Sequence, residues 1–87
     1  MPTPTETAIR DFLVSELLYD RSLPDLPVEQ NLIENGLIDS LALLRVVAFC
    51  EERFGVVIPD TEVVPDNMES VAAIARLVEK VRAAQAR

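Results

Sequence analysis

The sequence lacks several of the residues on which enzyme chemistry usually depends. Its 87 residues include no histidine and no tryptophan, only one cysteine and only two glycines. Without histidine the chain has neither the usual general base nor the commonest metal ligand, and a lone cysteine cannot form an internal disulfide. The acidic residues are scattered and match no recognised metal-binding loop. These absences argue against a catalytic site or a metal site within the chain.

Long apolar runs and basic surfaces are missing as well. No stretch approaches the roughly 20 apolar residues of a membrane-spanning helix, and the first residues lack the charged and apolar segments of a signal peptide. Fifteen acidic and eight basic residues give a formal net charge of -7, which disfavours binding to nucleic acid or anionic membrane. We expect a cytoplasmic monomer that attracts partners with basic surfaces, although such a charge also simply keeps a small domain soluble.

The first helix is predicted at the start of the chain. Thr3 and Glu6 have the spacing of a capping box, and Pro4 falls at the first helical position. Apolar residues then recur at helical spacing as far as about Tyr19. Between residues 20 and 38 no period is sustained, so we predict a long loop. Its apolar residues are expected to hold it against the core: Leu26, Val28, Leu32 and Ile33.

Two more helices and a short helical turn complete the predicted fold. The second helix runs from about Ser40 to Phe54 and closes at Gly55, and the last one starts near Ser70. Residues 56–58 are β-prone but lack a partner strand, so we predict loop there, then one helical turn at residues 60–64 and a frayed tail after residue 82. The sequence therefore predicts one all-α domain over residues 1–87, a small bundle of three main amphipathic helices plus a short fourth.

One serine stands out where the second helix begins, in Gly36-Leu37-Ile38-Asp39-Ser40-Leu41. Gly36 can adopt the backbone angles that end a loop, and Asp39 is a favoured N-cap residue. Ser40 then falls in the first helical turn, where free backbone amides and the positive end of the helix dipole favour an anion such as a phosphodiester. Ser40 is therefore the strongest candidate for a functional residue.

Nucleophilic catalysis explains these residues poorly. The segment is similar to the motif of the Gly-Asp-Ser-Leu hydrolases, but Leu37 and Ile38 interrupt that motif and no histidine is present to activate Ser40. Cys50 lies on the predicted inner face of the second helix, where a free cysteine ordinarily acts as a small hydrophobe. We predict no catalytic residue in the chain.

The second helix has two apolar faces. The inner face is predicted to pack on the core through Leu43, Val46, Val47, Cys50 and Phe54. The outer stripe consists of Leu41, Leu44 and Ala48, bordered by Arg45, Glu51 and Glu52. Two explanations of the outer stripe remain open, burial against the long loop and an exposed docking surface for partner proteins.

The segment around Ser40 resembles the acyl and peptidyl carrier proteins, whose hallmark is Asp-Ser-Leu at the start of the second helix. Residues 31–36, 53–59 and 68–71 resemble the same family, so the likeness covers about residues 5–82. It implies that Ser40 is esterified with 4'-phosphopantetheine from coenzyme A, whose terminal thiol holds an acyl or aminoacyl group as a thioester. It also implies that Asp39, besides capping the helix, contacts the enzyme that attaches this group.

The resemblance further implies a set of partners. A phosphopantetheinyl transferase would modify Ser40 with coenzyme A and magnesium, an adenylating enzyme or acyltransferase would load the arm, and a downstream synthase would receive the cargo. The implied docking surface is the outer face of the second helix, formed by Leu41, Leu44, Arg45, Ala48, Glu51 and Glu52.

The outer face also departs from one branch of the family. Carriers of fatty acid synthesis are strongly acidic along the second helix, whereas this sequence has Ala42, Leu44 and Arg45 there. Such a surface is more similar to carriers of polyketide or nonribosomal peptide pathways, the type that makes antibiotics. The sequence does not distinguish among an acyl, a β-amino acyl and a peptidyl cargo. The alternative function is that of an unmodified helical interaction module with the same fold.

Overall fold

The computed structural model describes residues 1–18 and 26–86, and the predicted helix end at Tyr19 lies outside these ranges. Within them the chain is helical and contains no strand, which confirms the predicted all-α fold. A π-helical segment, Leu13–Leu17, continues the first helix, and a 3-10 turn, Asp60–Glu62, confirms the short turn predicted there. The α-helices are α1 (Pro4–Phe12), α2 (Ser40–Phe54), α3 (Pro65–Met68) and α4 (Val71–Gln85).

The ends of the helices follow the capping signals in the sequence. At the start of α1 the amide of Glu6 donates to Thr3 Oγ1 at 3.1 Å, and the amide of Thr3 donates to Glu6 Oε1 at 2.9 Å, which confirms the capping box. Helix α2 ends at Gly55, whose φ of 66° is left-handed, as predicted. Helix α4 begins after Ser70, whose hydroxyl accepts from the amide of Ala73 at 3.0 Å.

Two features of the C-terminal half differ from the prediction. Helix α3, a single turn that starts at Pro65, follows the 3-10 turn and was not predicted. The tail was expected to fray after residue 82, but α4 continues to Gln85. The side chain of Gln85 accepts from the amide of Val57 at 3.0 Å and donates to its carbonyl oxygen at 2.7 Å. These two hydrogen bonds hold the end of α4 against the loop that follows α2.

The core is formed by α1, α4, the inner face of α2 and residues 26–38 of the loop. Val46 and Cys50 on α2 are fully buried, as are Leu32 of the loop and Ile9 of α1. Most of α4 is buried as well, through residues that include Val71, Ile74 and Val78. Of the residues predicted to hold the loop, Leu26 and Leu32 are buried while Val28 and Ile33 are half-buried against the core, so the predicted packing is confirmed.

Candidate functional site

The first turn of α2 is organised by Asp39. Its backbone is extended (φ -111°, ψ -174°), and its carboxylate Oδ1 accepts a hydrogen bond of 2.8 Å from the amide of Ala42. Its carbonyl oxygen accepts the first main-chain bond of the helix, from the amide of Leu43 at 2.9 Å. Asp39 is therefore the N-cap of α2, which confirms the prediction made from the sequence.

Ser40 is the first residue of α2 and is exposed to solvent, as is Asp39. A group attached to the Ser40 hydroxyl displaces no core side chain. The geometry of an α-helix leaves the amides of its first turn without intrahelical acceptors, and an anion placed there is stabilised by roughly 0.3–1 kcal/mol. The position therefore suits a phosphodiester.

The loop that leads to Ser40 is ordered by local hydrogen bonds. Asn31 Oδ1 accepts from the amides of Ile33 and Glu34 at 3.0 and 2.6 Å, forming a side-chain-stabilised turn. The carbonyl oxygen of Leu32 then accepts from the amides of Leu37 and Ile38 at 3.0 and 3.1 Å. Between these bonds the chain reverses at Gly36, whose φ of 67° is left-handed. The backbone just before Ser40 is thereby fixed in place.

The same loop is tied to the start of α4. The amide of Leu32 donates to the carbonyl oxygen of Glu69 at 2.7 Å, and the amide of Ala72 donates to that of Val28 at 2.8 Å. Leu32 therefore connects the approach to Ser40 with the beginning of α4, so that α2 and α4 begin at the same end of the bundle. The buried side chain of Ile38, only 6% exposed, anchors the last loop residues in the core.

The outer face of α2 is open to solvent. Leu41 is 69% exposed and Leu44 is 61% exposed, although both are large apolar residues. Arg45, Ala48 and Glu52 on the same helix are exposed as well. Of the two explanations given for this stripe, burial against the long loop is therefore wrong for Leu41 and Leu44. Docking of a partner stays a prediction.

Glu51 stabilises the loop after α2, a role that was not predicted from the sequence. It is half-buried, and its Oε2 accepts a hydrogen bond of 2.9 Å from the amide of Ile58. This bond holds the loop after α2 against the helix, beside the bonds that Gln85 makes with Val57. One oxygen of the Glu51 carboxylate is thus occupied by a hydrogen bond within the protein, and the contribution of Glu51 to docking stays a prediction.

An aromatic cluster that was not predicted from the sequence lies beside this face. The chain has three phenylalanines, and the ring of Phe49 contacts the rings of the other two. The rings of Phe12 and Phe49 stack with centroids 4.3 Å apart and an angle of 16° between their planes. The edge of Phe54 meets Phe49 at 6.2 Å and 84°. The only signal in the sequence was the presence of Phe49 between the two apolar faces of α2.

Comparison with known proteins identifies the family. A family model described as a phosphopantetheine attachment site matches residues 10–78, which includes the whole of α2. An acyl carrier protein from Campylobacter curvus (strain 525.92) is 34% identical over 73 residues, which cover 84% of this chain and 90% of the relative. The chain belongs to the acyl carrier protein family. It is a carrier rather than a catalyst, and its cofactor is covalently attached 4'-phosphopantetheine.

The residues at the start of α2 fit the cofactor of an acyl carrier protein. Attachment needs a hydroxyl that an enzyme can reach and surroundings that accept a phosphate group, and exposed Ser40 in the first helical turn offers both. The carboxylate of Asp39 lies next to this position but already accepts the amide of Ala42, so it is held in the cap. Ser40 is therefore exposed to solvent at the start of a helix whose N-cap is held by hydrogen bonds.

The thiol of Cys50 does not compete with the thiol of the cofactor for acyl groups. It is free, and its side chain is fully buried in the inner face of α2. Burial, with a smaller contribution from the negative charge of Glu51, raises the pKa of the Cys50 thiol to about 12. The thiol therefore stays protonated at neutral pH, which agrees with the prediction that it acts as a small core residue.

No metal site or membrane segment emerges from the part of the chain that the structure describes. Within residues 1–18 and 26–86, no three side chains of the metal-binding types come together as a possible ion site. In the same ranges, every helix is too short or too polar to cross a bilayer.

Proposed function

We propose that Ser40 is the residue to which this carrier's 4'-phosphopantetheine is attached. The observation that carries the proposal is the exposed position of Ser40 in the first turn of α2, within the segment matched by the family model. We further propose that residues 1–87 form one carrier domain. The core supports this, because α1, α2, α4 and the long loop all contribute to a single cluster of buried side chains.

The residues around Ser40 have separate tasks in this proposal. The Ser40 hydroxyl is the acceptor in the reaction of a phosphopantetheinyl transferase that uses coenzyme A and magnesium. Asp39 caps α2 and, on its exposed side, meets the transferase. Once attached, the cofactor supplies a terminal thiol on a long flexible arm, which holds acyl or aminoacyl groups as thioesters. The polypeptide contributes a fixed origin for this arm and a surface that partner enzymes recognise.

We propose that the outer face of α2 selects those partners. Leu41 and Leu44 expose most of their apolar surface beside Ser40, which supports docking because neither contributes much to folding. The loading partner is an adenylating enzyme or an acyltransferase, and a synthase receives the cargo. The apolar, mixed-charge face supports a polyketide or nonribosomal peptide pathway of the kind that makes antibiotics. We place the carrier in the cytoplasm, as a monomer.

Intact-mass measurement tests the attachment site directly. The purified chain is incubated with coenzyme A, magnesium and a phosphopantetheinyl transferase of broad specificity. The wild-type chain should gain one phosphopantetheinyl group and Ser40→Ala none. Ser15→Ala is the matched control, since Ser15 is also an exposed serine on a helix but lies outside the site. Modification of Ser40→Ala would assign another residue, and no modification of any variant would favour the unmodified interaction module.

The pathway requires a second experiment on the modified carrier. Holo-protein is offered to candidate adenylating enzymes and acyltransferases with their substrates, and the thioester is read from the mass of the intact chain. Loading with an amino acid or a specialised acyl group supports the proposed pathway class. Loading only by enzymes of fatty acid synthesis would contradict it, while leaving the attachment of the cofactor to Ser40 intact.

A further inference from the structure

A groove runs between α1 and α2, and two phenylalanines form its floor. It consists of two adjoining depressions, of about 440 and 270 Å³, which share Phe12 of α1 and Phe49 of α2. The two rings are stacked on each other and are half-buried, so packing of α1 on α2 leaves part of their apolar surface at the bottom of the groove. An aromatic surface of this kind accepts apolar side chains from another molecule.

The two walls of the groove differ in charge. The α2 wall has two guanidinium groups, Arg45 and Arg53, and one carboxylate, Glu52. The α1 wall, with the π-helical segment that continues it, has the carboxylates of Asp11 and Glu16 and no cation. The groove is therefore more positive along α2 and negative along α1.

The arginines of the α2 wall are placed symmetrically about Phe49. Arg45 precedes it by four residues and Arg53 follows it by four, so both lie on the same side of the helix, about one turn away in each direction. The guanidinium group of Arg53 lies 5.5 Å from the centroid of Phe54, which steadies it. The ion pairs among the described residues are Lys80–Glu62 and Arg82–Glu79, so neither arginine of the groove is engaged in one.

The groove continues the proposed docking face. Arg45, Ala48 and Glu52 line its smaller depression and also belong to the outer face of α2. Leu41 and Leu44 extend this face toward Ser40. Since an α-helix rises about 1.5 Å per residue, Phe49 lies roughly 14 Å along α2 from Ser40. An enzyme that works on the arm at Ser40 can therefore reach the groove with the same contact surface.

We propose that this groove binds a segment of the loading enzyme, and that the pattern of its charges fixes how the enzyme is oriented on the carrier. The segment places an apolar side chain on Phe12 and Phe49, carboxylates toward Arg45 and Arg53, and a basic group toward Asp11 and Glu16. The inference rests on the proposed carrier function and extends its recognition surface from one helix to two.

Charge reversals in the groove test the proposal on fully modified holo-protein. Arg53→Glu and Asp11→Lys alter opposite walls and lie outside the face proposed from the sequence. Each should lower kcat/KM for loading about fivefold, as expected for the loss of an exposed charge pair, and 0.5 M salt should remove most of that difference. Arg76→Glu is the matched control, because it makes the same change at an exposed position on α4. It should load like wild type.

The outcomes separate this inference from the proposed function. If Leu41→Glu slows loading while Arg53→Glu and Asp11→Lys do not, the groove has no role and the α2 face stands alone. If Arg76→Glu slows loading as much as Arg53→Glu, the effect is one of overall charge and the inference fails. Self-association of wild type that Arg53→Glu abolishes, with loading unchanged, would assign the groove to a second copy of the chain. Failure of the proposed function would show earlier, as absence of the cofactor on Ser40.

Discussion

Replacement of Leu41 by glutamate separates folding from recognition. Leu41 is 69% exposed, so about a third of its surface is covered by the rest of the protein. Complete burial of a leucine contributes about 1.5–3 kcal/mol, so the covered third contributes roughly 0.5–1 kcal/mol. The new carboxylate lies in the first turn of α2, where the helix dipole favours a negative charge by about 0.3–1 kcal/mol. The two effects nearly cancel, and the free energy of unfolding should change by less than about 1 kcal/mol.

Loading should respond very differently to the same substitution. An apolar side chain in the well-packed centre of a protein interface can contribute more than about 1 kcal/mol to binding, and a carboxylate in its place must be desolvated as well. We therefore expect kcat/KM for the loading enzyme to fall about tenfold or more, which corresponds to roughly 1.4 kcal/mol. Urea denaturation measures the stability, and intact-mass time courses on the holo-protein measure the loading rate.

Val46→Ala is the matched control for Leu41→Glu. Val46 lies on the same helix but is fully buried, so its truncation leaves a cavity and should reduce the free energy of unfolding by about 1–3 kcal/mol. Loading of the folded fraction should stay near the wild-type rate. Loading of Leu41→Glu at the wild-type rate, or a loss of stability as large as that of Val46→Ala, would contradict the proposed docking role of Leu41.

Three further predictions concern the framework around the site. Asp39→Asn should preserve the N-cap of α2, whereas Asp39→Ala should reduce the free energy of unfolding by about 1 kcal/mol. If the cofactor is attached to Asp39→Asn more slowly than to wild type, the Asp39 carboxylate contacts the transferase. Gln85→Ala should reduce the free energy of unfolding by about 1–2 kcal/mol and should speed hydrogen exchange at the amide of Val57. The pKa of the Cys50 thiol is about 12 in the folded protein and 9.0 in the unfolded chain, so between these values only the unfolded chain loses the proton. The free energy of unfolding of wild type should therefore fall relative to that of Cys50→Ala as the pH rises through this window, by about 1.4 kcal/mol per pH unit. Denaturation at pH 8 and at pH 10.5 measures the difference.

The helices of this fold were predictable because their signals are local. The capping box of Thr3 and Glu6, the N-cap Asp39 and the left-handed Gly55 each act within a few residues of the helix end they define. Apolar residues at helical spacing identified the inner face of α2 in the same way. The end of α4 was not predictable, because Gln85 is held there by Val57, a residue distant in the sequence.

The features of the candidate site were predictable only where their signals are local in the sequence. The position of Ser40 follows from a glycine, an N-cap and a helix start that are adjacent in the sequence, and the structure has them as predicted. Whether Leu41 and Leu44 were covered depended on the course of the long loop, which no local pattern specifies. The groove was missed for a related reason. It exists because Phe12 of α1 stacks on Phe49 of α2, and periodicity within one helix says nothing about contacts between two.

The hydrogen bonds around Leu32 explain how one chain can satisfy both folding and recognition. They fix the approach to Ser40 through main-chain groups and through buried residues such as Ile38, so the position of Ser40, the proposed origin of the cofactor arm, does not depend on the outer side chains of α2. Those side chains, among them Leu41 and Arg45, contribute little to the core. We therefore expect substitutions on the outer face to change which enzymes bind without moving Ser40, because different residues would determine the two properties.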